Sequence, residues 1–252
     1  MVTGAFKAYF VWVGLFALWV GVWGYFVPAE VYRALPWTVP ALHARFIAAM
    51  YFAGLLAMVL AFFARRIASV RIPVALAALW TGALLVASLL HLGEFDFGKP
   101  QVWFWMGAYA VFPLWGAWLY YGRGAAAVAR ARAPDLLLVV VAAICLLLAA
   151  ALLFAPDGMV RIWPWKLPPL LATIYAGPFF AYGVCAVMLA REAEAEARRI
   201  VLASMLVFTV LVVLASLMHL KLFNFDAPAA WVWFGALVFV GAALGFRMAP
   251  AR

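Results

Sequence analysis

Three histidines are the residues of this 252-residue chain best suited to acid–base or metal chemistry. Two of them, His91 and His219, lie 128 residues apart in matching stretches, Ser88-Leu-Leu-His and Ser216-Leu-Met-His, each followed by Phe-x-Phe and Trp-x-Trp. A neutral imidazole can ligate haem iron, transfer a proton or hold a polar ligand. The repeated stretch therefore predicts an internal duplication and the place of any functional site.

The predicted ligand-binding residues share a position close to one membrane interface, in loops or near helix ends. They are His91, His219, His43, Arg45, Glu94, Asp96, Asn224, Trp103, Trp105, Trp231 and Trp233. Polar groups at membrane depth are costly to bury, which makes them functional candidates. We expect them to surround an outward cavity for an apolar or aromatic ligand. For the tryptophans, the alternative is an aromatic belt at the interface.

Four roles are open to His91 and His219. Each imidazole can anchor its hairpin by donating to loop carbonyls, or form the polar part of a ligand pocket. A pseudo-two-fold axis could also bring both rings to one haem b iron, which would make them the metal site; otherwise no cofactor is expected. Catalysis with Glu94 or Asp96 ranks last, because no HExxH motif or phosphate-binding glycine loop is present.

The two copies differ in charge. In order, His43, Arg45, Glu94 and Asp96 correspond to Leu171, Thr173, Leu222 and Asn224. We therefore expect the first copy to carry the charged part of a site. Arg45 could be neutralised by Glu94, Asp96 or Glu30, or its long side chain could reach lipid phosphates.

Composition indicates an integral membrane protein. Hydrophobic residues make up 71% of the chain, charged residues 11%, and the mean hydropathy is +1.12. Soluble proteins are only about half apolar. The net charge of +9 is scattered in short clusters, which excludes a nucleic-acid-binding domain. Cys145 and Cys185 correspond to Ala17 and Ala57, which indicates small buried residues and not a disulfide.

Eight segments have the length of a membrane-spanning helix, which is about 20 residues. They cover approximately residues 8–27, 41–64, 73–92, 102–121, 136–154, 169–190, 200–220 and 231–248. Between the sixth and seventh, residues 191–199 alternate Glu with Ala between arginines. Glu, Ala and Arg favour helix, so this stretch predicts a solvated helix extension.

Positive charge predicts the orientation, because Lys and Arg collect on the cytoplasmic side. One set of ends and loops carries twelve Lys and Arg residues, among them Arg130, Arg132 and Arg252, and the opposite set carries five. Both termini are therefore expected in the cytoplasm. The histidine loops then face outward.

The halves align at the constant offset of 128 without insertion, as residues 1–128 and 129–252. Four helices per half predict two parallel repeats about a pseudo-two-fold axis along the membrane normal. The all-α fold is then one membrane domain of eight helices.

The elements Leu35-Pro-Trp-Thr-Val-Pro-Ala-Leu-His-Ala-Arg45 and Trp163-Pro-Trp-Lys-Leu-Pro-Pro-Leu170, with His-x-x-x-Phe-x-Phe and Trp-x-Trp, complete the repeated pattern. The pattern resembles one in uncharacterised bacterial, especially actinobacterial, multi-pass membrane proteins. This resemblance implies the bacterial cytoplasmic membrane. It implies no mechanism.

The leading functional prediction is binding or movement of a small apolar or lipid-like molecule through an outward-facing cavity between the repeats. One alternative is a non-enzymatic structural or accessory subunit whose outer face docks a protein partner. The other is a bis-histidine haem-binding electron carrier. Membrane lipids are expected partners and nucleic acid is not.

Overall fold

The computed structural model describes residues 1–37, 39–123 and 133–248. Over these ranges the chain forms α-helices without β-strands. The helices are α1 (Gly4–Phe26), α2 (Ala41–Phe63), α3 (Ile67–Leu90), α4 (Pro100–Trp118), α5 (Leu136–Phe154), α6 (Pro156–Ile162), α7 (Pro169–Ala190), α8 (Ala195–Met218) and α9 (Pro228–Met248). All except α6 are long and apolar enough to span a membrane, which confirms the predicted class of an all-helical protein with eight spans.

Five helices begin earlier than hydropathy predicts, and the shift is largest for α3 and α8. α3 starts at Ile67 and not near residue 73, and α8 starts at Ala195 and not near residue 200. The added turns contain Arg and Glu, which lower hydropathy although they favour helix. Arg130, Arg132 and Arg252, which entered the predicted charge asymmetry, lie outside the described residues.

The prediction of a solvated helix extension over residues 191–199 is wrong for its first part. α7 ends at Ala190, and residues 191–194 form a non-helical link to α8. Glu192 is buried, with a carboxylate oxygen 3.9 Å from Arg71 Nη2, and Glu194 forms an ion pair with Arg66. The two acids therefore neutralise arginines that flank the start of α3.

The loops collect at two ends of the bundle. The aromatic end carries residues 27–37, 91–99, 155–168 and 219–227, and there the rings of Trp37 and Phe95 lie 5.4 Å apart. The basic end carries the N-terminus and residues 64–66, 133–135 and 191–194, and there the Val2 N–H donates to Arg65 O at 3.0 Å.

We call residues 1–128 the first half and residues 129–252 the second half. Within each half the first two spans pack together, α1 on α2 and α5 on α7. Between the halves, α3 packs on α7 and α2 packs on α8. Small residues permit these approaches: a Cβ on Gly24 would lie 2.9 Å from Ala44 O, and one on Gly183 would lie 2.7 Å from Leu146 Cγ.

Helices α5 and α9 lie at the periphery of the bundle. Only 11% of the α9 span is buried, against 72% of the α7 span. α5 packs mainly on α7, and α9 packs mainly on α8. Each peripheral helix is therefore packed on one side only. The gap between α5 and α9 opens into the second-half cavity described below.

Candidate functional site

His43 joins the two halves at the aromatic end. Its Nε2 lies 3.0 Å from the Lys166 carbonyl oxygen, and its Nδ1 lies 2.7 Å from the Tyr175 hydroxyl. A carbonyl oxygen only accepts, so Nε2 carries the proton and Nδ1 accepts from Tyr175. The ring is thus a neutral bridge from α2 to α7.

His91 and His219 also bind across the halves, with opposite roles. The Thr173 hydroxyl donates to Pro169 O at 3.1 Å, so His91 Nε2, at 3.0 Å from Thr173 Oγ1, is the donor. His219 Nε2 instead accepts from Arg45 Nη1 at 2.6 Å. Burial, and then the charge of Arg45, lowers the pKa of His219, which keeps the imidazole neutral.

Arg45 has no acid partner among residues 1–37, 39–123 and 133–248. Its Nε donates to Tyr25 O at 3.2 Å, and the Tyr25 hydroxyl donates to Leu211 O at 2.9 Å. The guanidinium is therefore part of a hydrogen-bonded link from α1 and α2 to α8 and its turn.

The acids predicted to pair with Arg45 lie elsewhere, so that prediction is wrong. Glu30 accepts from Arg33 at 2.8 Å, and hydrogen bonds from Tyr32 and Arg33 lower the pKa of its carboxyl. Asp96 lies 3.3 Å from Lys99 Nζ, and Glu94 is exposed. Glu30 and Asp96 are thus neutralised within their own loops by partners three residues away, and Glu94 lies at the surface.

The serines that precede the histidines bind tryptophan. Trp105 Nε1 donates to Ser88 Oγ at 2.9 Å, and Trp233 Nε1 donates to Ser216 Oγ at 3.1 Å. Ser88 Oγ also donates to Leu84 O at 2.8 Å. Ser88 is thus held between an indole and a carbonyl, which is not the arrangement of a nucleophile activated by a histidine.

The other two tryptophans of the repeated stretch close their own loops. Trp103 Nε1 donates to Phe97 O and Trp231 Nε1 donates to Phe225 O, both at 2.9 Å. Both rings are exposed on the surface of the bundle. These positions fit an aromatic belt with amphipathic rings at an interface.

The contacts of His91 and His219 do not fit haem ligation. An axial ligand presents an imidazole lone pair to iron. His91 Nε2 donates a hydrogen bond, and the lone pair of His219 Nε2 accepts one from Arg45. Across the described part of the chain, no group of three or more His, Cys, Asp and Glu side chains could hold a metal ion.

Aromatic rings separate a buried void of the first half from a groove on its surface. A buried void of about 40 Å³ lies among α1 to α4, and a groove of about 880 Å³ lies on the surface between α1 and α4. Phe16 and Phe112 line both, with ring centroids 5.8 Å apart. Tyr51 and Tyr109 line the buried void and hydrogen-bond through their hydroxyls.

The second half contains a cavity of about 360 Å³, larger than the buried void and smaller than the surface groove of the first half, bounded by α5, α7, α8, α9 and the end of α6. Part of its lining corresponds, at the offset of 128, to the buried void of the first half. These residues are Val141, Ile144, Cys145, Phe179, Tyr182, Met205, Phe208, Thr209, Val212, Leu237 and Val240. Another part corresponds to the surface groove, namely Val140, Ile162, Ala229, Val232, Ala236 and Phe239.

Smaller side chains account for the joined cavity. Ile144 occupies the position of Phe16, and Val240 occupies that of Phe112. Leu237 likewise replaces Tyr109. The two rings that stand between void and groove in the first half are thus absent here, and a single space extends from the interior to the gap between α5 and α9.

The cavity lining offers few free polar groups. The Tyr182 hydroxyl donates to Ser204, whose own hydroxyl donates to Ala53 O at 2.8 Å, and Thr209 donates to Met205 O at 2.9 Å. Trp163 is different, because its buried indole N–H has no acceptor among the described residues. The volume lies in the range of about 300–1,000 Å³ that small-molecule sites occupy.

No family model, curated protein or solved structure matches this chain.

The predicted site residues do not come together around one cavity. Trp233 lines the second-half cavity and Trp103 lines the first-half groove. His43, His91 and His219 line none of these three cavities, nor a further groove of about 360 Å³ on the surface between α1 and α2. Asn224 Oδ1 accepts from its own loop.

At the basic end, ion pairs hold the helices that flank the cavity. Asp135, directly before α5, accepts from Arg198 at 3.2 Å and from Arg247 at 3.0 Å. Its side chain is 1% exposed. The equivalent first-half positions are Lys7, Val70 and Leu119, of which the last two are fully buried apolar residues.

Sequence reasoning missed the cavity because it searched for polar residues. The signal lay in the aligned halves, where Phe16, Tyr109 and Phe112 correspond to smaller aliphatic residues. The Asp135 contacts gave no such signal, because their partners lie 63 and 112 residues away.

Proposed function

We propose that the protein binds a small apolar or lipid-like molecule in the second-half cavity. The observation that carries this proposal is a space of about 360 Å³ with an apolar lining, at the place where aromatic rings fill the first half. Its hydroxyl groups bind other protein atoms, so a hydrocarbon chain or ring fits it better than a polar solute.

The ligand exchanges with the bilayer through the gap between α5 and α9. Residues of both helices line the cavity, including Val140 of α5 and Phe239 of α9. Val140 is also exposed, and so is Val232, which puts part of the cavity wall on the outer surface of the bundle. A lateral route lets an apolar molecule enter without crossing water.

The proposed topology is two four-helix repeats, residues 1–128 and 129–252, about a pseudo-two-fold axis along the membrane normal. Two pairs of contacts support it: α3 packs on α7 as α8 packs on α2, and the Trp105–Ser88 bond recurs as Trp233–Ser216. The cavity then lies within the second repeat and not between the repeats.

We place the protein in a bacterial cytoplasmic membrane with its basic end inside. That end carries Arg65, Arg66 and Arg71, and the link and helix start at residues 191–199 add three more arginines. Lys and Arg favour the cytoplasmic side.

Filling the cavity with the rings of the first half tests the proposal. The variant Ile144→Phe/Val240→Phe copies Phe16 and Phe112. We expect it to lower the affinity for a hydrophobic fluorescent probe or for co-purified lipid by about tenfold or more, equivalent to about 1.4 kcal/mol. Native mass spectrometry of the detergent-purified protein measures the bound lipid.

Val238→Phe is the matched control, because Val238 lies on the same helix, is 65% exposed and does not line the cavity. It should bind as the parent does. Equal binding by parent and filled variant would refute the cavity as the site. A stoichiometric protein partner together with no bound lipid would favour the accessory-subunit alternative, and a haem absorption band lost with His91→Ala or His219→Ala would favour the electron carrier.

A further inference from the structure

We infer that the ligand is an anionic, ester-linked acyl lipid, with one chain in the second-half cavity, its charged group at Arg161 and an ester carbonyl at Trp163. This inference rests on the proposed function and specifies its substrate class. Three second-half features carry it: the apolar cavity, an arginine that lacks the acid partner of its counterpart, and a buried indole without an acceptor.

Arg161 differs from Arg33, its first-half counterpart, because it has no acidic partner in the described part of the chain. Arg33 Nε donates to Glu30 at 2.8 Å and its guanidinium lies over the Trp23 ring. Gly158 stands at the position equivalent to Glu30, and Arg161 forms no ion pair with a described residue. The second half has therefore kept the arginine and lost its carboxylate.

Arg161 is a close neighbour in sequence of residues that line the cavity. It lies on α6 beside Ile162 and two residues after Met159, and both of these neighbours line the cavity. Arg161 itself is exposed. An amphiphile whose chain enters between α5 and α9 thus has its head group within the range of an arginine, which binds phosphate and carboxylate in a bidentate manner.

Other charges at this end do not cancel that of Arg161. Asp157 lies one turn earlier on α6 but forms no ion pair with it, and Asp226 lies in the loop before α9. Lys166 and Lys221 are exposed cations of the same end without an acid within ion-pair distance among the described residues. The second-half loops of this end, residues 155–168 and 219–227, thus carry three cations and two acids, a net charge of +1.

Trp163 supplies a hydrogen-bond donor between the charge and the chain. The residue lines the cavity and is 8% exposed, and its Nε1–H has no partner among the described residues. The rings of Trp165 and Trp233 pack against it at 5.3 and 5.5 Å. Trp37 and Trp165, which occupy equivalent positions, also have a buried N–H without a partner among the described residues, but neither lines one of the cavities. Leu35 stands at the first-half position equivalent to Trp163, so a donor of this kind that lines the cavity belongs to the second half.

Leaving a buried hydrogen-bond donor without an acceptor costs about 1–3 kcal/mol of free energy. An ester carbonyl at the depth of Trp163 would satisfy it. In a glycerolipid the ester oxygens lie between the charged head group and the hydrocarbon chain. The same order occurs here, with Arg161 exposed, Trp163 buried two residues later and the apolar cavity behind it.

Lipid titration of the delipidated full chain, followed by native mass spectrometry, tests the inference. The probes are dioleoyl phosphatidylglycerol, dioleoyl phosphatidylcholine and the diether analogue of the first. We expect the parent to prefer the anionic ester lipid to each of the other two by about five- to tenfold, equivalent to one charge-assisted or buried hydrogen bond.

Two variants test the head-group contact and the ester contact separately. Arg161→Gln should remove the preference for the anionic lipid over phosphatidylcholine, whereas Arg33→Gln, its matched control, should leave it unchanged. Trp163→Phe should remove the preference for ester over ether and keep that for the anionic head group.

Failure of the inference is distinguishable from failure of the cavity proposal. If all three lipids bind the parent equally, and Ile144→Phe/Val240→Phe abolishes their binding, the cavity stands and the anionic ester lipid is refuted. If the filled variant binds all three as the parent does, the cavity itself is refuted. A preference that survives both Arg161→Gln and Trp163→Phe also overturns the inference.

Discussion

The two halves of the chain share helices and loop contacts but differ in how their interiors are filled. In the first half, Phe16 and Phe112 divide a void of about 40 Å³ from the surface groove. In the second half, Ile144 and Val240 leave one cavity of about 360 Å³. The second half thus has smaller side chains at these two positions, and its interior space is continuous with the gap between α5 and α9. Since packing supplies much of the cohesion between membrane helices, the first half is the better candidate for a rigid support and the second for a binding site.

The halves also differ in the contacts that hold their last helices, α4 in the first half and α9 in the second. Leu119, at the end of the first-half α4, is fully buried, whereas its equivalent is Arg247, which binds Asp135. Apolar packing is replaced by an ion pair beside the cavity. A helix held by few contacts can move apart from its neighbours more easily, which suits a lateral opening.

The largest expected effect comes from giving the first half the side chains of the second. Phe16→Ile/Phe112→Val should join the void to the groove. We expect a loss of about 2–4 kcal/mol of stability, because removed ring atoms leave unfilled space. Thermal unfolding in detergent measures this loss, and native mass spectrometry should show a second bound lipid.

Phe63→Ile/Phe246→Val provides the control for that variant. Both phenylalanines are exposed, at 74% and 81%, so their truncation opens no internal space. Unchanged stability and a single bound lipid in Phe16→Ile/Phe112→Val would show that these rings do not cause the difference between the halves.

The intermediate effect concerns the ion pairs that only the second half has. Asp135→Asn leaves Arg198 and Arg247 without their shared carboxylate and should cost about 1–3 kcal/mol. Faster exchange of bound lipid should accompany the loss, because α9 is freed at its basic end. Lys7→Gln alters the equivalent first-half position and should change stability by less than about 0.5 kcal/mol. Equal effects of the two substitutions would refute the proposal that ion pairs in the second half replace apolar packing in the first.

The smallest effect concerns the histidines, whose partners differ between the halves. The pKa of His219 is lowered below the usual 6.5 by burial and by Arg45. The unfolded chain then binds the proton more readily, so stability is present above pH 6.5 and is lost as the pH falls below it. The ring is partly exposed, so we expect a loss of about 1 kcal/mol or less.

Unfolding temperatures at pH 7.5 and pH 5.0 measure this dependence. His219→Gln should weaken it, and so should Arg45→Thr, which copies Thr173 beside His91. The buried neutral His43, which accepts from Tyr175, should account for part of the dependence that remains. A dependence as steep in His219→Gln as in the parent would assign it to another group.

Hydropathy predicted the eight spans because each span needs a long apolar run. Since successive spans cross in opposite directions, their order also predicted which loops lie together at each end of the bundle. The repeated Ser, His and Trp positions were readable, and Trp105 and Trp233 do bind the serines. Their partners were not readable, because a hydrogen bond such as His219 to Arg45 joins residues 174 positions apart. Only packing in three dimensions decides which helix faces which.

The cavity was accessible to sequence reasoning in part. Aligned halves show where rings are replaced by smaller groups, but a smaller side chain creates space only if neighbours do not fill it. Here α9 packs mainly on α8, and Val240 lines the cavity together with residues of α5, α7 and α8. That outcome depends on helix positions, and the residue types alone do not determine it.

The ion pair between Arg66 and Glu194 has a consequence for the origin of the chain. These residues are 128 positions apart, which is the offset at which the halves align, so in the proposed two-repeat topology each occupies the other's place. In a symmetric dimer of identical four-helix chains, such a contact would bring together two copies of one side chain, and like charges repel. Opposite charges require two different genes or one fused gene whose parts have diverged. Halves expressed as separate polypeptides should consequently prefer to associate with each other over self-association.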